Sequence, residues 1–193
     1  MKVQIDKAYA VPASADLSWE FLQDIAAVAA CMPGAKITER LDATHYKGTV
    51  TVKVGPATMS FRGDIEVREL DARTRTLRLL GKGSDTTGTS GASIDLTARV
   101  EAAEAGLSSL VGRSEATVSG KAAAFGGRMM NSVADQVLKQ FAANFAAQVE
   151  SLKAAGAAPV ALPPPAQHEL NGLALFWSIL KDWIRGFFSK QQG

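Results

Sequence analysis

The chain has 193 residues, 47% apolar and 21% charged, which suits one globular domain of about 150 residues with an appendage and excludes two large enzyme domains. Lys and Arg total 21 against 19 Asp and Glu, and a net charge of +2 gives no basic footprint for nucleic acid as the main partner. One cysteine (Cys31) and two histidines (His45, His168) exclude a disulfide framework and a zinc ribbon, and they argue against a His-based triad.

At the N-terminus, Lys2, Asp6 and Lys7 stand where a secretion signal needs a continuous apolar run, so a cytoplasmic location is expected. Val3 to Ile5 and Ala8 to Val11 predict a first strand, ended by Pro12. From Ala13 to Ala30, Leu17, Phe21, Ile25 and Val28 recur at helical spacing and predict one or two short helices. Cys31-Met32-Pro33-Gly34 stops them, because a residue before proline avoids the helical region and glycine suits the following turn. Between Ala35 and Ser119 the period changes to two: Val50, Val52, Val54; Met59, Phe61, Ile65, Val67; Leu77, Leu79; Ile94, Leu96, Ala98, Val100. Turn signals at Leu41–Thr44, Gly55-Pro56, Leu70–Arg73, Gly81–Gly91 and Ala103–Gly106 divide this stretch into about six antiparallel strands. Helical period then returns over Lys121 to Lys153, with Phe125, Met129, Val133, Val137, Phe141, Phe145, Val149 and Leu152 on one stripe.

This order predicts an α+β domain in which a curved antiparallel sheet of about seven strands wraps a long C-terminal helix. The domain spans residues 1–153. An Ala/Pro-rich linker follows at 154–168, stiffened by Pro163, Pro164 and Pro165, and a tail occupies 169–193.

No nucleophile elbow, His-Glu-x-x-His, Cys-x-x-Cys or Walker loop is present. Gly81-Lys82-Gly83-Ser84 and Gly88-Thr89-Ser90-Gly91 read as hairpin connection. His45 reads as an exposed edge residue, and His168 falls in the linker. Cys31 is expected to be a small buried hydrophobe rather than a reactive thiol. Asp64 and Glu66 share a strand face with Arg62 and Arg68, which predicts a charge-alternating outer surface and not an acid/base pair. Arg73, Arg75 and Arg78 form a basic cluster, either a solvated face or a patch for a partner or anionic lipid.

Four motifs taken in order carry a family signal: Cys31-Met32-Pro33-Gly34-Ala35, Lys53-Val54-Gly55-Pro56, Phe61-x-Gly63, and Ser119-Gly120-Lys121 followed by Ala123 and Phe125-Gly126-Gly127-Arg128. With the element order, they make residues 1–150 resemble the carbon monoxide dehydrogenase G-subunit (CoxG) family, a branch of the START-like (SRPBCC) helix-grip superfamily. The resemblance implies a non-catalytic accessory protein of molybdenum-containing hydroxylases of the carbon monoxide dehydrogenase type, acting at the inner face of the cytoplasmic membrane. It also implies an apolar cavity between sheet and helix. The lining candidates are Phe21, Ile25, Met32, Val52, Met59, Phe61, Leu79, Leu96, Phe125, Met129, Met130, Val133 and Val137, each with plain core packing as the alternative. Among the motif glycines, Gly126-Gly127 is read as a close helix approach, Gly63 as a strand bulge and Gly34 as a helix stop.

In the tail, helical spacing places Leu173, Phe176, Trp177, Leu180, Trp183, Ile184, Phe187 and Phe188 on a wide apolar arc opposite Asn171, Ser178, Asp182, Arg185 and Ser189. Lys181, Asp182 and Arg185 interrupt the run before the roughly 18 to 20 apolar residues that a span requires, so an amphipathic helix lying in the membrane interface is expected. The competing occupant is a groove on a partner or on the chain's own body.

Two function classes follow. In the first, the chain carries a lipophilic molecule, an isoprenoid quinone such as menaquinone, to a membrane-associated oxidoreductase, with no covalent cofactor and no metal of its own. In the second it is a helix-grip enzyme of cyclase or dehydratase type, which needs a polar acid/base pair inside the cavity. A pure tether without cargo is the blandest version.

Overall fold

A computed structural model describes residues 1–156; the tail and most of the linker lie outside the described residues. Strand β1 (Lys2–Val11) ends at Pro12 and leads into α1 (Ala15–Leu22) and α2 (Ile25–Cys31). Both helices are capped by local chemistry. The Ser14 hydroxyl accepts from the Leu17 amide at 3.3 Å, and Asp24 accepts from the Ala27 amide at 3.0 Å, satisfying amides that a first helical turn leaves orphaned. Gly34, at φ +76°, closes the helical pair as expected, and an added Cβ would lie 2.1 Å from the Thr51 carbonyl oxygen.

Strands β2 (Ala35–Arg40), β3 (His45–Val54), β4 (Ala57–Asp71), β5 (Thr76–Asp85), β6 (Ser90–Ala102) and β7 (Ser108–Gly120) follow as an antiparallel meander. With β1 they form a seven-stranded sheet in the order β1-β7-β6-β5-β4-β3-β2. A 3₁₀ turn (Lys121–Phe125) then precedes α3 (Gly127–Ala154). This is the antiparallel sheet with a long C-terminal helix that the periodicity predicts, and the helix-grip arrangement that the family resemblance implies.

The register fixes which side chains face the helices. Val11, Leu110, Val100, Ala98, Leu77, Val67 and Tyr46 are buried with Phe145 and Val149 of α3 and with Trp19, Phe21, Leu22 and Ile25 of α1 and α2. Phe21 meets Phe145 edge to face, with ring centroids 5.1 Å apart. Ser18 and Ser108, also buried, share a 2.8 Å hydrogen bond, so neither hydroxyl is left unpaired. Arg62, Asp64, Arg68 and Glu69 are exposed, and Glu66 is half-buried and pairs with Arg68, in keeping with an outward charged surface.

Four local expectations change. The Gly81–Gly91 stretch is mostly strand, since β5 runs to Asp85 and β6 starts at Ser90; the hairpin itself is confined to 86–89. The long helix starts at Gly127 and not at Lys121, because Gly126 at φ +79° breaks the chain path between the 3₁₀ turn and α3. A Cβ at Gly126 would meet nothing within 4 Å, and one at Gly127 only the Met1 sulfur at 4.0 Å, so these glycines serve that break rather than a close backbone approach. Gly63 is not at the β4 bulge, which falls between Val67 and Glu69. It sits opposite Gly83 where β4 and β5 pinch together: a Cβ on Gly63 would come within 2.1 Å of the Lys82 carbonyl oxygen.

Candidate functional site

Helix α3 carries one apolar stripe, Met130, Val133, Val137, Phe141, Phe145, Val149 and Leu152, but its burial is uneven. Only Phe145 and Val149 are fully buried; Met130, Val133, Val137 and Phe141 are half-buried, and successive four-residue steps turn Val137 about 80° and Val133 about 120° around the helix from Phe145. The sheet shows the same division. Val52 pairs with Met59 across β3 and β4, Phe61 with Val50, and Leu79 with Leu96 across β5 and β6; all of these stand on the inward row and all are half-buried. Inward apolar side chains that stay partly accessible on both layers are the candidate walls of an apolar hollow between α3's N-terminal half and the sheet.

Of the lining candidates, Val52, Met59, Phe61, Leu79 and Leu96 on the sheet and Val133 and Val137 on α3 share this half-buried, inward position. Met130 lies on α3's first turns, and Met129, 39% exposed, has its methyl 3.7 Å from where a Cβ on Gly55 would stand, so it meets the tip of the β3–β4 hairpin. Phe125 is half-buried in the 3₁₀ turn, and Met32 half-buried at the C-cap of α2. Phe21 and Ile25 belong to the packed end around Phe145.

Lys7 of the edge strand β1 keeps the inward register of Val3, Ile5 and Tyr9, opposite Gly112, and at the solvent-exposed margin of the sheet its ammonium reaches Asp135 of α3 at 3.0 Å. Tyr9 follows on the same face, opposite Leu110, and Ser114 stands opposite Ile5. Hydrogen bonding to Asp135 pushes the Lys7 ammonium above its ordinary pKa, so it stays charged at neutral pH. The signal for Lys7 lies in the sequence, where it keeps the period-two phase of Val3, Ile5, Tyr9 and Val11.

The other candidate groups are accounted for locally. His45 Nδ1 lies 2.9 Å from Asp42, and the Thr44 amide followed by the His45 ring holds that carboxyl well below the usual range, a turn arrangement on an exposed loop. Arg75 pairs with Asp16 at 2.6 Å and Arg78 lies 4.0 Å from Glu69, which ties the basic cluster to its neighbours. Cys31 is buried, and burial pushes its thiol up to about 11. A polar depression of about 650 Å³ beside β1 and β7 is lined by residues including Gln4, Asp95, Ser114 and Thr117, and charges around it pair locally, Arg113 with Asp6 at 3.1 Å and Lys2 with Glu115 at 2.6 Å. Among the described residues no three His, Cys, Asp or Glu side chains gather as a metal site, and no helix is long and apolar enough to cross a membrane.

The model of one protein family, the carbon monoxide dehydrogenase G-subunit (CoxG), matches residues 8–150. The chain belongs to the CoxG family. Comparison with curated proteins finds no match. Among solved structures, a conserved protein of Geobacillus kaustophilus superposes with a TM-score of 0.70 at 19% identity, over 78% of this chain and 97% of its own. The ZhuI aromatase/cyclase of Streptomyces sp. R1128 gives 0.59 at 17% identity, over 82% of this chain and 100% of its own. A START superfamily protein of Mycobacterium smegmatis gives 0.56 at 16% identity, over 77% and 98%. At these identities the neighbours establish the START-like helix-grip fold. The CoxG match over residues 8–150 establishes the family, one named for a component of carbon monoxide dehydrogenase.

Proposed function

We propose that this chain is a non-enzymatic accessory protein that holds an isoprenoid quinone, such as menaquinone, in the hollow under α3. In this role it couples a molybdenum-containing enzyme of the carbon monoxide dehydrogenase type to the cytoplasmic membrane. The observation that carries the reading is the shared half-burial of Val52, Met59, Phe61, Leu79 and Leu96 on the sheet and of Met130, Val133 and Val137 on α3. A fold that needed these side chains only for stability would close them, since each buried Val or Leu contributes about 1.5–3 kcal/mol. Methionines at the α3 end and on β4 adapt their shape to a long, flexible ligand. CoxG membership supplies the partner class, and the apolar arc of residues 169–193 supports attachment to the inner membrane face.

Native mass spectrometry of the full chain from mild detergent, with organic extraction, should recover an intact isoprenoid quinone. Val133→Trp and Met59→Trp should lower its recovery while the fold persists. Recovery of no apolar molecule, or the same recovery from both variants, rejects the cavity assignment. Membrane attachment is tested by vesicle flotation of the full chain against a chain ending at Pro165, and equal partitioning of the two removes the tail from the mechanism.

An enzymatic reading draws on two observations, the inward Lys7–Asp135 pair and the aromatase/cyclase among the structural neighbours. It requires turnover: chemical conversion of the extracted molecule by the chain alone would favour it over carriage.

A further inference from the structure

Polar side chains are distributed unevenly around the hollow. Inward positions on β3 to β6, short of the strand-end residues Tyr46, Asp85 and Ser90, are Val, Met, Phe, Ile, Leu, Ala or Gly, and the polar inward side chains of β1 and β7 are Lys7, Tyr9, Ser114 and, at the strand end, Ser108, which is bonded to Ser18. At their centre the cross-strand pair Lys7 and Gly112 departs twice from what a core needs. A lysine here forfeits the burial that valine or isoleucine would give. Its ion pair with Asp135 joins side chains 46% and 60% exposed, the kind that adds little to stability. Opposite it, a glycine in mid-strand weakens the sheet, and a Cβ at Gly112 would meet nothing within 4 Å. The chain thus places a fixed cation beside unfilled space.

We propose that Lys7 is the head-group anchor of the hollow: its ammonium, positioned by Asp135, donates a hydrogen bond to a carbonyl oxygen of a neutral ring, with the space at Gly112 receiving the ring. This rests on the carrier reading above and adds where, and by what chemistry, the polar end is held. The ammonium has three donors and Asp135 takes one, which leaves donors for a ligand. Because Asp135 neutralises the pair, the site offers directed donors without net positive charge. Such a site favours a neutral, dipolar acceptor over a carboxylate or a phosphate. The isoprenoid chain then runs along Leu79, Leu96 and Val137 toward Met129 and the β3–β4 hairpin.

The test is titration of the full chain in mild detergent with three probes: menaquinone-4, squalene as an isoprenoid without a head group, and palmitate as an anionic one. The expected result is that Lys7→Met weakens menaquinone-4 binding by about tenfold or more, the scale of losing a hydrogen bond to a charged group, and leaves squalene binding unchanged. Lys7→Arg, which keeps the charge and the donors, should retain most of the menaquinone-4 affinity and guards against a folding artefact. Equal loss of both probes in Lys7→Met, no loss of menaquinone-4 binding, or tighter binding of palmitate than of menaquinone-4 by the parent overturns the anchor while leaving lipophilic carriage standing. Binding of none of the three probes by the parent overturns the carrier reading and the anchor with it.

Discussion

The two halves of α3 present the same kind of side chain to the same sheet and do different things with it. Around Phe145 and Val149 the helix belongs to one buried cluster with Phe21, Leu77, Val100 and Leu110; at Met130, Val133 and Val137 its apolar side chains stay half-buried, as Val52, Met59 and Leu96 do on the sheet. Two short helices make the difference. α1 and α2 wedge Trp19, Phe21 and Leu22 between the layers at one end, and among the described residues no comparable element fills the other. The closed core is therefore concentrated at one end of α3, and the carrier reading proposed above assigns binding to the other.

Substitutions at the two ends should show that separation directly. Phe145→Ala removes a fully buried ring that packs edge to face on Phe21, and should cost about 3–5 kcal/mol, seen as a large fall in the denaturant midpoint. Val133→Ala, one stripe position in the open half, should cost less than about 1.5 kcal/mol and show chiefly in ligand binding. Comparable costs at the two positions would break the contrast. A sharper version adds volume instead of removing it. Gly112→Val builds into open space on an inward strand position, so it should leave the thermal midpoint unchanged or slightly raised while reducing uptake of a quinone probe. A large loss of stability there would mean that the space is already filled.

The smallest effect concerns the closed end. With its thiol pushed up to about 11 by burial, Cys31 should resist alkylation of the native chain at pH 8 and react only on unfolding. The sign of the pH dependence follows from the raised value: the contribution to stability is present below the unfolded thiol's ordinary pKa and is lost as pH rises through about 11. Rapid labelling of the folded chain at pH 8 would show the α2 end to be open as well.

Much of this division can be read from the residues. Period-two runs from Val50 to Val100 and the 3.6-residue stripe from Val133 to Leu152 dictate sheet and helix, because each period puts one face in the core. Those periods say which side chains point inward and nothing about how near the opposite wall stands. Phe21 and Val133 look alike in sequence; only the packing of α1 against α3 makes one core and the other wall. Lys7 escapes a sequence reading for the opposite reason. Its phase on β1 is plain, but charge reads as free surface until a partner on a distant element, Asp135, is seen to tie it to α3. The glycines mislead as local signals because their reasons are tertiary: Gly63 answers to the backbone of β5, where its register partner is Gly83.

The contact of Gly63 with Gly83 also limits how this sheet can change its inner surface. Gly48, Gly63 and Gly83 follow one another across β3, β4 and β5, and at the last two an added Cβ would strike a neighbouring carbonyl oxygen at 2.1 and 2.7 Å. Any side chain there must move backbone, not merely another side chain. Side-chain change is consequently left to the rows on either side, Val50 with Phe61 and Val52 with Met59 on one and Tyr46 with Ile65 on the other, while the glycine row acts as a fixed crease between them.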